Sequence, residues 1–304
     1  MATTKELWHD ARHPPADPST LGLSFKDKAV LVTGASGWGL GYNAAVKYAA
    51  LGANPLILAV RTQEKGESTK QSIVAATGCS PDIFIIETVD LASFASVRDF
   101  VDRIVKRVPR LHVVQLAGGV APWAYAKTQD GFETGLQVDV LSTTLLPLLL
   151  LPKLRETATS SPEADGYLPH VSFLCSIAIF IIPDGVVPKA GSGQTLIQRC
   201  DDEAKWDPIN QYFLIKLATW YAVKGVADLV TKEYGGKVVV NATCPGLCKT
   251  NMVRDLPWIY RAFMVIRHAL LGRTAEQGSR TLVSATGLGP ESHGKFWNND
   301  RYHP

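Results

Sequence analysis

A tyrosine and a lysine at helical spacing are the residues in this chain that could do chemistry together. Tyr212 and Lys216 stand four positions apart in the segment Asn210–Lys216, so both side chains lie on one face of a helix. A phenol titrates at about pH 10, and an adjacent ammonium favours the phenolate and lowers that pKa. Tyr212 is therefore a candidate general acid toward a carbonyl, or a general base toward an alcohol. Taken alone, such a pair is most often an ordinary helix face.

A glycine-rich stretch follows the first predicted strand and precedes the first predicted helix. Gly34, Gly37, Gly39 and Gly41 let the chain turn tightly and approach a ligand without obstruction by a Cβ atom. The N–H groups at the start of the helix favour a bound pyrophosphate. The alternative is a glycine-rich turn without a ligand. The candidate cofactor contacts in this stretch are Thr33, Gly34, Ser36, Trp38, Gly39 and Leu40.

The residue after the second predicted strand indicates which dinucleotide is bound. A fold that selects NAD usually has an acidic side chain there for the ribose 2′-hydroxyl, whereas this chain has Arg61. Because a guanidinium suits a 2′-phosphate by charge and geometry, the sequence favours NADP(H). Lys65 either assists or lies on a solvated helix face. Asp90 and Leu91 end the third strand, where the adenine would lie, and a helix N-cap is the competing interpretation of Asp90.

Apolar runs alternate with helical stretches along most of the chain, and this order positions the residues above. Runs rich in Val, Ile and Leu with little alternation are typical of strands buried on both faces of a parallel sheet. The sequence thus predicts one doubly wound, Rossmann-like α/β domain with a mostly parallel sheet of about seven strands. The predicted strands are 29–33, 55–60, 83–89, 111–116, 170–175, 237–243 and 295–298, and the main helices are 42–51, 65–77, 93–108, 131–154 and 211–234.

Composition excludes several classes of protein. The 304 residues carry 31 Lys and Arg against 28 Asp and Glu, a net charge of +3, which gives no sign of a nucleic-acid partner. Apolar residues make up 46% of the chain, which excludes global disorder. No window reaches about 18 uninterrupted apolar residues, so no integral membrane segment is expected. Five scattered cysteines and the lack of a secretory signal predict a reduced, cytoplasmic protein without a metal site.

The ordered set of motifs resembles the short-chain dehydrogenase/reductase family over residues 25–304. Thr33 with the glycines, Asp90-Leu91, Leu116–Gly119, Ser176, Tyr212 with Lys216, and Pro245-Gly246 with Thr250 occur in the family's order. The sequence as a whole is similar to those of fungal reductases of specialised metabolism. Residues 1–25 are predicted as an irregular N-terminal arm and residues 26–304 as the NADP(H)-binding domain.

The resemblance implies roles for individual residues. Tyr212 would exchange the proton at the substrate oxygen, Lys216 would lower its pKa and hold the nicotinamide ribose, and Ser176 would orient the substrate oxygen. Further cofactor contacts would be Ala117, Gly118, Pro245, Gly246, Leu247 and Thr250. Residues 250–273 would form a mobile substrate lid, with a core helix and a membrane-surface helix as alternatives. Its apolar residues are Leu256, Trp258, Ile259, Tyr260, Phe263, Ile266 and Leu270.

Four departures from the family pattern affect these roles. The glycine loop is one residue longer than usual, and Trp38 either reshapes the phosphate cradle or covers the cofactor. Ala117 replaces a structural asparagine. Asp139 replaces an asparagine that holds a water against the lysine; a carboxylate accepts from that water and attracts Lys216, but cannot donate as an amide does. An insertion at residues 183–208 separates Ser176 from Tyr212, and it either supplies specificity or only pads the rim.

These observations predict an NADP(H)-dependent oxidoreductase that reduces a ketone, or oxidises the alcohol, of an apolar small molecule such as a polyketide or terpenoid. Two alternatives remain: a non-redox cyclase or isomerase that uses the same pocket, and a catalytically silent NADP(H) sensor. Family members often pair through the fourth helix and the Tyr/Lys helix. The apolar run Leu145–Leu151 serves either a homodimer of that kind or the core.

Overall fold

The computed structural model of this chain describes residues 9–10, 12–160, 166–250 and 257–303. The predictions for Thr250 and Trp258 therefore fall on described residues. Leu256 lies outside them, as do the side chains of Ile259, Tyr260, Phe263 and Ile266. The described part of the predicted N-terminal arm includes one 3₁₀ turn, Pro18–Leu21, which is capped by the Asp17 side chain.

A single sheet runs through the described part of the chain. Its strands lie in the order β3-β2-β1-β4-β5-β6-β7-β8, and all neighbours are parallel except β7 and β8. The strands are β1 (Val30–Thr33), β2 (Leu56–Val60), β3 (Phe84–Thr88), β4 (Val113–Leu116), β5 (His170–Leu174), β6 (Val239–Cys244), β7 (Phe296–Asn298) and β8 (Arg301–His303). The order reverses between β1 and β4, and the crevice beyond the carboxyl ends of strands at such a point is where ligands bind in this kind of sheet. We call this side of the sheet the carboxyl edge.

Helices connect the parallel strands. They are α1 (Leu40–Ala50), α2 (Gln63–Thr77), α3 (Phe94–Arg107), α4 (a π-helical stretch Leu136–Ser142 continued by Thr143–Ser160), α5 (Leu196–Cys200), α6 (Pro208–Tyr234), α7 (Trp258–Leu271) and α8 (Ala275–Ala285). Side-chain caps fix where several of them begin, such as Ser93 before α3 and Asp207 before α6.

The sheet is covered on both faces. One apolar cluster packs α3, α4 and α6 against it, and includes Phe100, Leu150 and Val226. The other packs α1, α2 and α8 against the opposite face, and includes Tyr48 and Ile73. All four residues of β1 are buried, which explains why its sequence is apolar without alternation. The prediction of one doubly wound, mostly parallel α/β domain is confirmed.

The structure corrects the details of that prediction. The sheet has eight strands, because β8 returns antiparallel along the edge strand β7 after a two-residue turn. The fourth helix begins at Leu136 rather than at residue 131, and it runs to Ser160. By length and composition Leu136–Thr159 could cross a membrane, but 61% of its most apolar stretch is buried inside the domain. That burial is the setting of a core helix.

Two helical glycines give a test of this packing. A Cβ atom on Gly66 of α2 would lie 2.3 Å from the Ile86 Cγ2 atom and 3.1 Å from that of Val60. These stiff side chains stand on β3 and β2, so they cannot yield easily. We expect Gly66→Ala to lower the free energy of unfolding by about 1–3 kcal/mol in urea titrations.

Gly225 of α6 is the matched control. It is exposed, and a Cβ atom there would meet nothing within 4 Å. Gly225→Ala should therefore raise the free energy of unfolding by about 0.5–1 kcal/mol through helix propensity alone. Equal effects of the two substitutions would contradict the described contact between α2 and the sheet.

Candidate active site

Tyr212 and Lys216 lie in the first turns of α6. Pro208 opens this helix, and the Asp207 carboxylate accepts hydrogen bonds from the N–H groups of Ile209 and Asn210. The Tyr212 side chain is half-buried and that of Lys216 is buried. The Lys216 Nζ atom lies 5.8 Å from the centroid of the Tyr212 ring. The structure thus brings the two residues together, as their spacing predicts.

Ser176 reaches the same place from the sheet. It follows β5 and caps a 3₁₀ turn, Ile177–Phe180, where its Oγ atom accepts a hydrogen bond from the Ala178 N–H at 3.2 Å. The Ser176 hydroxyl also lies close enough to the Tyr212 phenol to lower its pKa. Two hydroxyl groups from different elements therefore converge, which is the arrangement needed to hold one oxygen atom of a substrate.

Asp139 contacts Lys216 directly. Its Oδ2 atom lies 3.0 Å from Lys216 Nζ, and its Oδ1 atom accepts a hydrogen bond from the Val120 N–H at 2.8 Å. The side chains are only 3% and 6% exposed for Asp139 and Lys216 respectively. Asp139 lies in the π-helical stretch of α4, a local geometry that is frequent at functional sites. The sequence predicted electrostatic attraction, and the structure shows a buried ion pair.

The pKa values follow from this burial and pairing. Burial alone would lower the pKa of Lys216, but the Asp139 carboxylate raises it above its ordinary value. Burial raises the pKa of Tyr212, and the Lys216 ammonium and the Ser176 hydroxyl offset this only in part. The Lys216 ammonium therefore lowers the pKa of Tyr212, as expected, but the desolvation of the phenol outweighs this effect and the net shift of the pKa is upward.

Two buried cysteines, Cys175 and Cys244, lie next to Ser176 and the loop after β6, and neither is predicted as a site residue from the sequence. The Cys244 Sγ atom accepts hydrogen bonds from the N–H groups of Ile177 and Gly246, at 3.3 and 3.4 Å. It thus joins the turn after Ser176 to the loop after β6. Burial raises the pKa of Cys175 to about 12, so this thiol is unreactive at neutral pH. In the described part of the chain, no cluster of His, Cys, Asp and Glu could hold a metal ion.

The glycine loop is built by close backbone contacts. The Thr33 Oγ1 atom accepts hydrogen bonds from the N–H groups of Ala117 and Gly118, both at 3.0 Å. A Cβ atom on Gly34 would lie 2.7 Å from the Gly118 Cα atom, and one on Gly41 would lie 2.4 Å from the Gly34 carbonyl oxygen. Only glycine allows these approaches. Thr33 therefore shapes the loop through its hydroxyl, which binds the backbone N–H groups of Ala117 and Gly118.

The outer side of this loop is open. A Cβ atom on Gly37 or Gly39 would meet nothing within 4 Å, and Gly39 gives the start of α1 no side-chain cap. The first N–H groups of α1 therefore have no capping side chain. Such a cradle at a helix N-terminus fits the pyrophosphate of a dinucleotide. Ser36 and Leu40 are half-buried in the loop.

Trp38 is the unusual residue of the loop. Its φ is +59°, a left-handed conformation that is uncommon for a bulky residue. The side chain is 71% exposed, and its ring centroid lies 4.9 Å from that of Tyr42. Trp38 thus projects its indole outward beside the cradle.

Arg61 lies at the same edge of the sheet. It follows β2, whose Ala59 pairs with Thr33 of β1. Its side chain is exposed, and it makes no hydrogen bond or ion pair with other described residues. This free guanidinium fits a 2′-phosphate.

Asp90 does not cap α3, because Ser93 does so. The Asp90 Oδ1 atom instead accepts a hydrogen bond from the Ala92 N–H at 2.9 Å. The capping interpretation of Asp90 is therefore wrong. Leu91 is half-buried and lies against Gly118, since a Cβ atom on that glycine would be 3.2 Å from Leu91 Cδ1.

The loop after β6 carries the last group of predicted contacts. Pro245 is buried, whereas Gly246, Leu247 and Thr250 are half-buried, and Gly246 has a φ of +75°. The lid prediction falls in part on residues 251–256, which lie outside the described residues. In α7, Trp258, Val265 and Leu270 are 75%, 59% and 57% exposed, whereas His268 is only 7% exposed, so the lid, the core helix and the membrane-surface helix all stay predictions.

The insertion at residues 183–208 is fastened next to Tyr212. It contains α5, and the Gln211 side chain donates hydrogen bonds to the Cys200 carbonyl and to Glu133 Oε2, at 2.7 and 3.0 Å. Asp201 accepts a hydrogen bond from the Glu133 N–H at 2.7 Å. The insertion is thus attached to α6 and to the segment just before α4, next to Tyr212.

An apolar groove lies on the outside of α4 and α6, away from the catalytic cluster. Its volume is about 690 Å³, and it is lined in part by Leu145, Leu148, Ile197 and Tyr221. The run Leu145–Leu151 is divided, because Leu146, Leu150 and Leu151 are buried in the core while Leu145 and Leu148 face the groove. The core interpretation therefore holds for Leu146, Leu150 and Leu151, and pairing with a second copy stays a prediction.

Comparison with known proteins agrees with this geometry. The family model described as short chain dehydrogenase matches residues 28–161. The short-chain dehydrogenase/reductase ffsI of Aspergillus flavipes is 40% identical over 97% of this chain and 83% of its own. The short-chain dehydrogenase/reductase phmF of Phaeosphaeria nodorum is 37% identical over 95% of this chain and 81% of its own.

Solved structures share the fold. A short chain dehydrogenase from Burkholderia cenocepacia, in complex with NADP, has a TM-score of 0.64 at 19% identity and covers 91% of this chain and 97% of its own. One from Shigella flexneri, complexed with NADP, has a TM-score of 0.61 at 22% identity and covers 91% and 98%. The identity to the fungal enzymes over nearly the whole chain shows that this protein belongs to the short-chain dehydrogenase/reductase family, as its motifs predicted.

Proposed function

We propose that the protein is an NADP(H)-dependent oxidoreductase that reduces a ketone of an apolar small molecule, or oxidises the corresponding secondary alcohol. The observation that carries the proposal is the cluster of Ser176, Tyr212, Lys216 and Asp139 beside the glycine loop. By similarity to the fungal relatives, the proposed class of substrate is a specialised metabolite, such as a polyketide or terpenoid. A cytoplasmic location is proposed with it.

The cofactor preference rests on Arg61. Its free guanidinium at the carboxyl edge matches a 2′-phosphate, where an acidic residue would bind the ribose hydroxyls of NAD. That two proteins of the same fold are described in complex with NADP is consistent with this preference. The glycine loop would hold the pyrophosphate, and the loop Pro245–Thr250 would line the nicotinamide.

The chain's own residues do the acid-base work. A bound nicotinamide cofactor supplies or accepts the hydride. The Ser176 hydroxyl and the Tyr212 phenol donate hydrogen bonds to the carbonyl oxygen, and the phenol transfers its proton to that oxygen during reduction. The Lys216 ammonium stabilises the phenolate that forms. The Asp139 carboxylate fixes the ammonium in place and compensates part of its charge.

Removal of the Tyr212 hydroxyl tests the chemistry. We expect Tyr212→Phe to lower kcat for ketone reduction by about 10²–10⁴-fold, because the proton donor is lost. Tyr221→Phe, on the same helix but 61% exposed, should keep full activity. The measurement is NADPH absorbance against a panel of apolar ketones. Turnover that survives in Tyr212→Phe, or product formed without consumption of NADPH, would contradict the proposed redox role.

Removal of the Arg61 guanidinium tests the cofactor. We expect Arg61→Ala to weaken NADPH binding by about 10–100-fold, the value of hydrogen bonds to a charged group. Binding of NADH, which lacks the 2′-phosphate, should stay the same and serves as the internal control. Titration of each nucleotide by cofactor fluorescence gives both dissociation constants. Equal losses for the two nucleotides would show that Arg61 does not contact the phosphate.

The pH dependence follows from the raised pKa of Tyr212. Reduction needs the neutral phenol, so its rate should stay flat through neutral pH and fall only in the alkaline range, while alcohol oxidation should rise with pH. Asp139→Asn removes a negative charge near the phenol and leaves more of the Lys216 charge uncompensated. The alkaline limb of both profiles should therefore move to lower pH by about one unit. A limb that stays in place, or moves upward, would show that Asp139 does not act on Tyr212.

A further inference from the structure

Arg273 is a buried cation that the catalytic cluster does not use. It lies two residues after the end of α7, and only 2% of the residue is exposed. Its Nε and Nη2 atoms donate hydrogen bonds to the Asp10 carbonyl oxygen at 3.1 and 2.9 Å. Nη2 also donates to Asn299 Oδ1 at 2.6 Å, and Nη1 donates to the Pro245 carbonyl oxygen at 3.4 Å. One side chain therefore joins the N-terminal arm, the loop after β6 and the turn between β7 and β8.

Both the backbone and the side chain of Arg273 hold the loop after β6. Its N–H donates to the Leu247 carbonyl oxygen at 2.7 Å, and its carbonyl oxygen accepts from the Lys249 N–H at 2.8 Å. The guanidinium lies against Gly246, where an added Cβ atom would be 3.3 Å from Nη1. The conformation of Pro245–Lys249 is thus set by Arg273 at several points.

The turn between β7 and β8 lies beside this loop because of the register of the sheet. Cys244, the last residue of β6, pairs in parallel with Asn298, the last residue of β7. The residues that follow each strand therefore leave the sheet at the same edge. Asn299 donates from Nδ2 to Asp10 Oδ1 at 2.8 Å, and Asp300 accepts from the Ala16 N–H at 2.7 Å.

The turn keeps polar side chains at positions that favour glycine. Asn299 and Asp300 have φ values of +51° and +56°. Asparagine and glycine are the residues that two-residue turns of this kind prefer, and glycine adopts the conformation without strain. Side chains are retained at both positions, and both bind the N-terminal arm. This arrangement indicates that the turn does more than connect two short strands.

We propose that Arg273, Asp10 and Asn299 form a clamp that holds Pro245–Lys249 in the conformation that receives the nicotinamide half of the cofactor. The inference rests on the proposed NADP(H) function of the same site. Arg273 is then a positioning residue, and the N-terminal arm is part of the binding structure. The arm is also held independently of the clamp, since Arg280 donates to the Pro15 carbonyl oxygen at 3.2 Å and Lys47 lies 3.7 Å from Asp17.

Asn299→Gly tests the clamp without breaking the turn. Glycine keeps the left-handed conformation and removes the amide contacts with Arg273 and Asp10. We expect NADPH binding to weaken by about tenfold, because one hydrogen bond to a charged group typically contributes about this factor to an affinity. Adenosine 2′,5′-bisphosphate, which carries only the adenine half, should bind within about twofold of the wild-type protein. Arg273→Lys should also weaken NADPH binding more than binding of the bisphosphate. Calorimetric titration of each variant with both nucleotides gives the dissociation constants to compare.

Arg301→Ala is the matched control. Arg301 follows the turn directly and is exposed, and its substitution leaves every hydrogen bond of the Arg273 guanidinium in place, so NADPH binding should not change. NADPH binding at the wild-type level in Asn299→Gly would overturn the clamp. Equal weakening of NADPH and the bisphosphate would also overturn it, because general destabilisation affects both halves of the site. Failure of the wild-type protein to bind either nucleotide would instead reject the proposed NADP(H) function, and the clamp with it.

Discussion

A buried ion pair between Lys216 and Asp139 determines how the rest of the site is built. Removing two charges from water costs several kcal/mol for each ion, and only close pairing and further hydrogen bonds compensate for that cost. The 3.0 Å contact and the bond from the Val120 N–H to Asp139 provide both. The pair joins α4 to α6, so the position of the ammonium, and with it the environment of Tyr212, depends on the packing of two helices on one face of the sheet.

The charge balance of this pair favours a protonated tyrosine. A lone ammonium beside a phenol stabilises the phenolate, whereas a paired ammonium carries a compensating negative charge close by. Burial of the phenol acts in the same direction as that compensation. The arrangement therefore suits a residue that begins its reaction by donating a proton. The carboxylate at position 139 of α4 thus has a chemical consequence for a tyrosine on α6.

The carboxyl edge of the sheet gathers segments from the whole chain. Thr33, Gly34 and Gly118 bring β1 and the loop after β4 into backbone contact, which leaves an open cradle at the start of α1. Cys244 connects the turn after Ser176 to the loop after β6. Arg273 ties that loop to both ends of the described chain. The loops of the site are therefore held in part by residues that lie far from them in sequence.

The sequence by itself determined the fold class, the glycine loop and the pairing of Tyr212 with Lys216. These are local features, since apolar periodicity, glycine placement and i,i+4 spacing act within a few residues. The tertiary structure decided the eighth strand, the direct contact of Asp139 with Lys216, the raised pKa of Tyr212 and the buried contacts of Arg273. Burial and electrostatic pairing depend on contributions from segments far apart along the chain. Arg273 stands between α7 and Thr274, which caps α8, and nothing in this local sequence indicates that its side chain is buried. The physical reason is that desolvation depends on which segments meet in space, and a single sequence does not state this for Arg273 or Asp139.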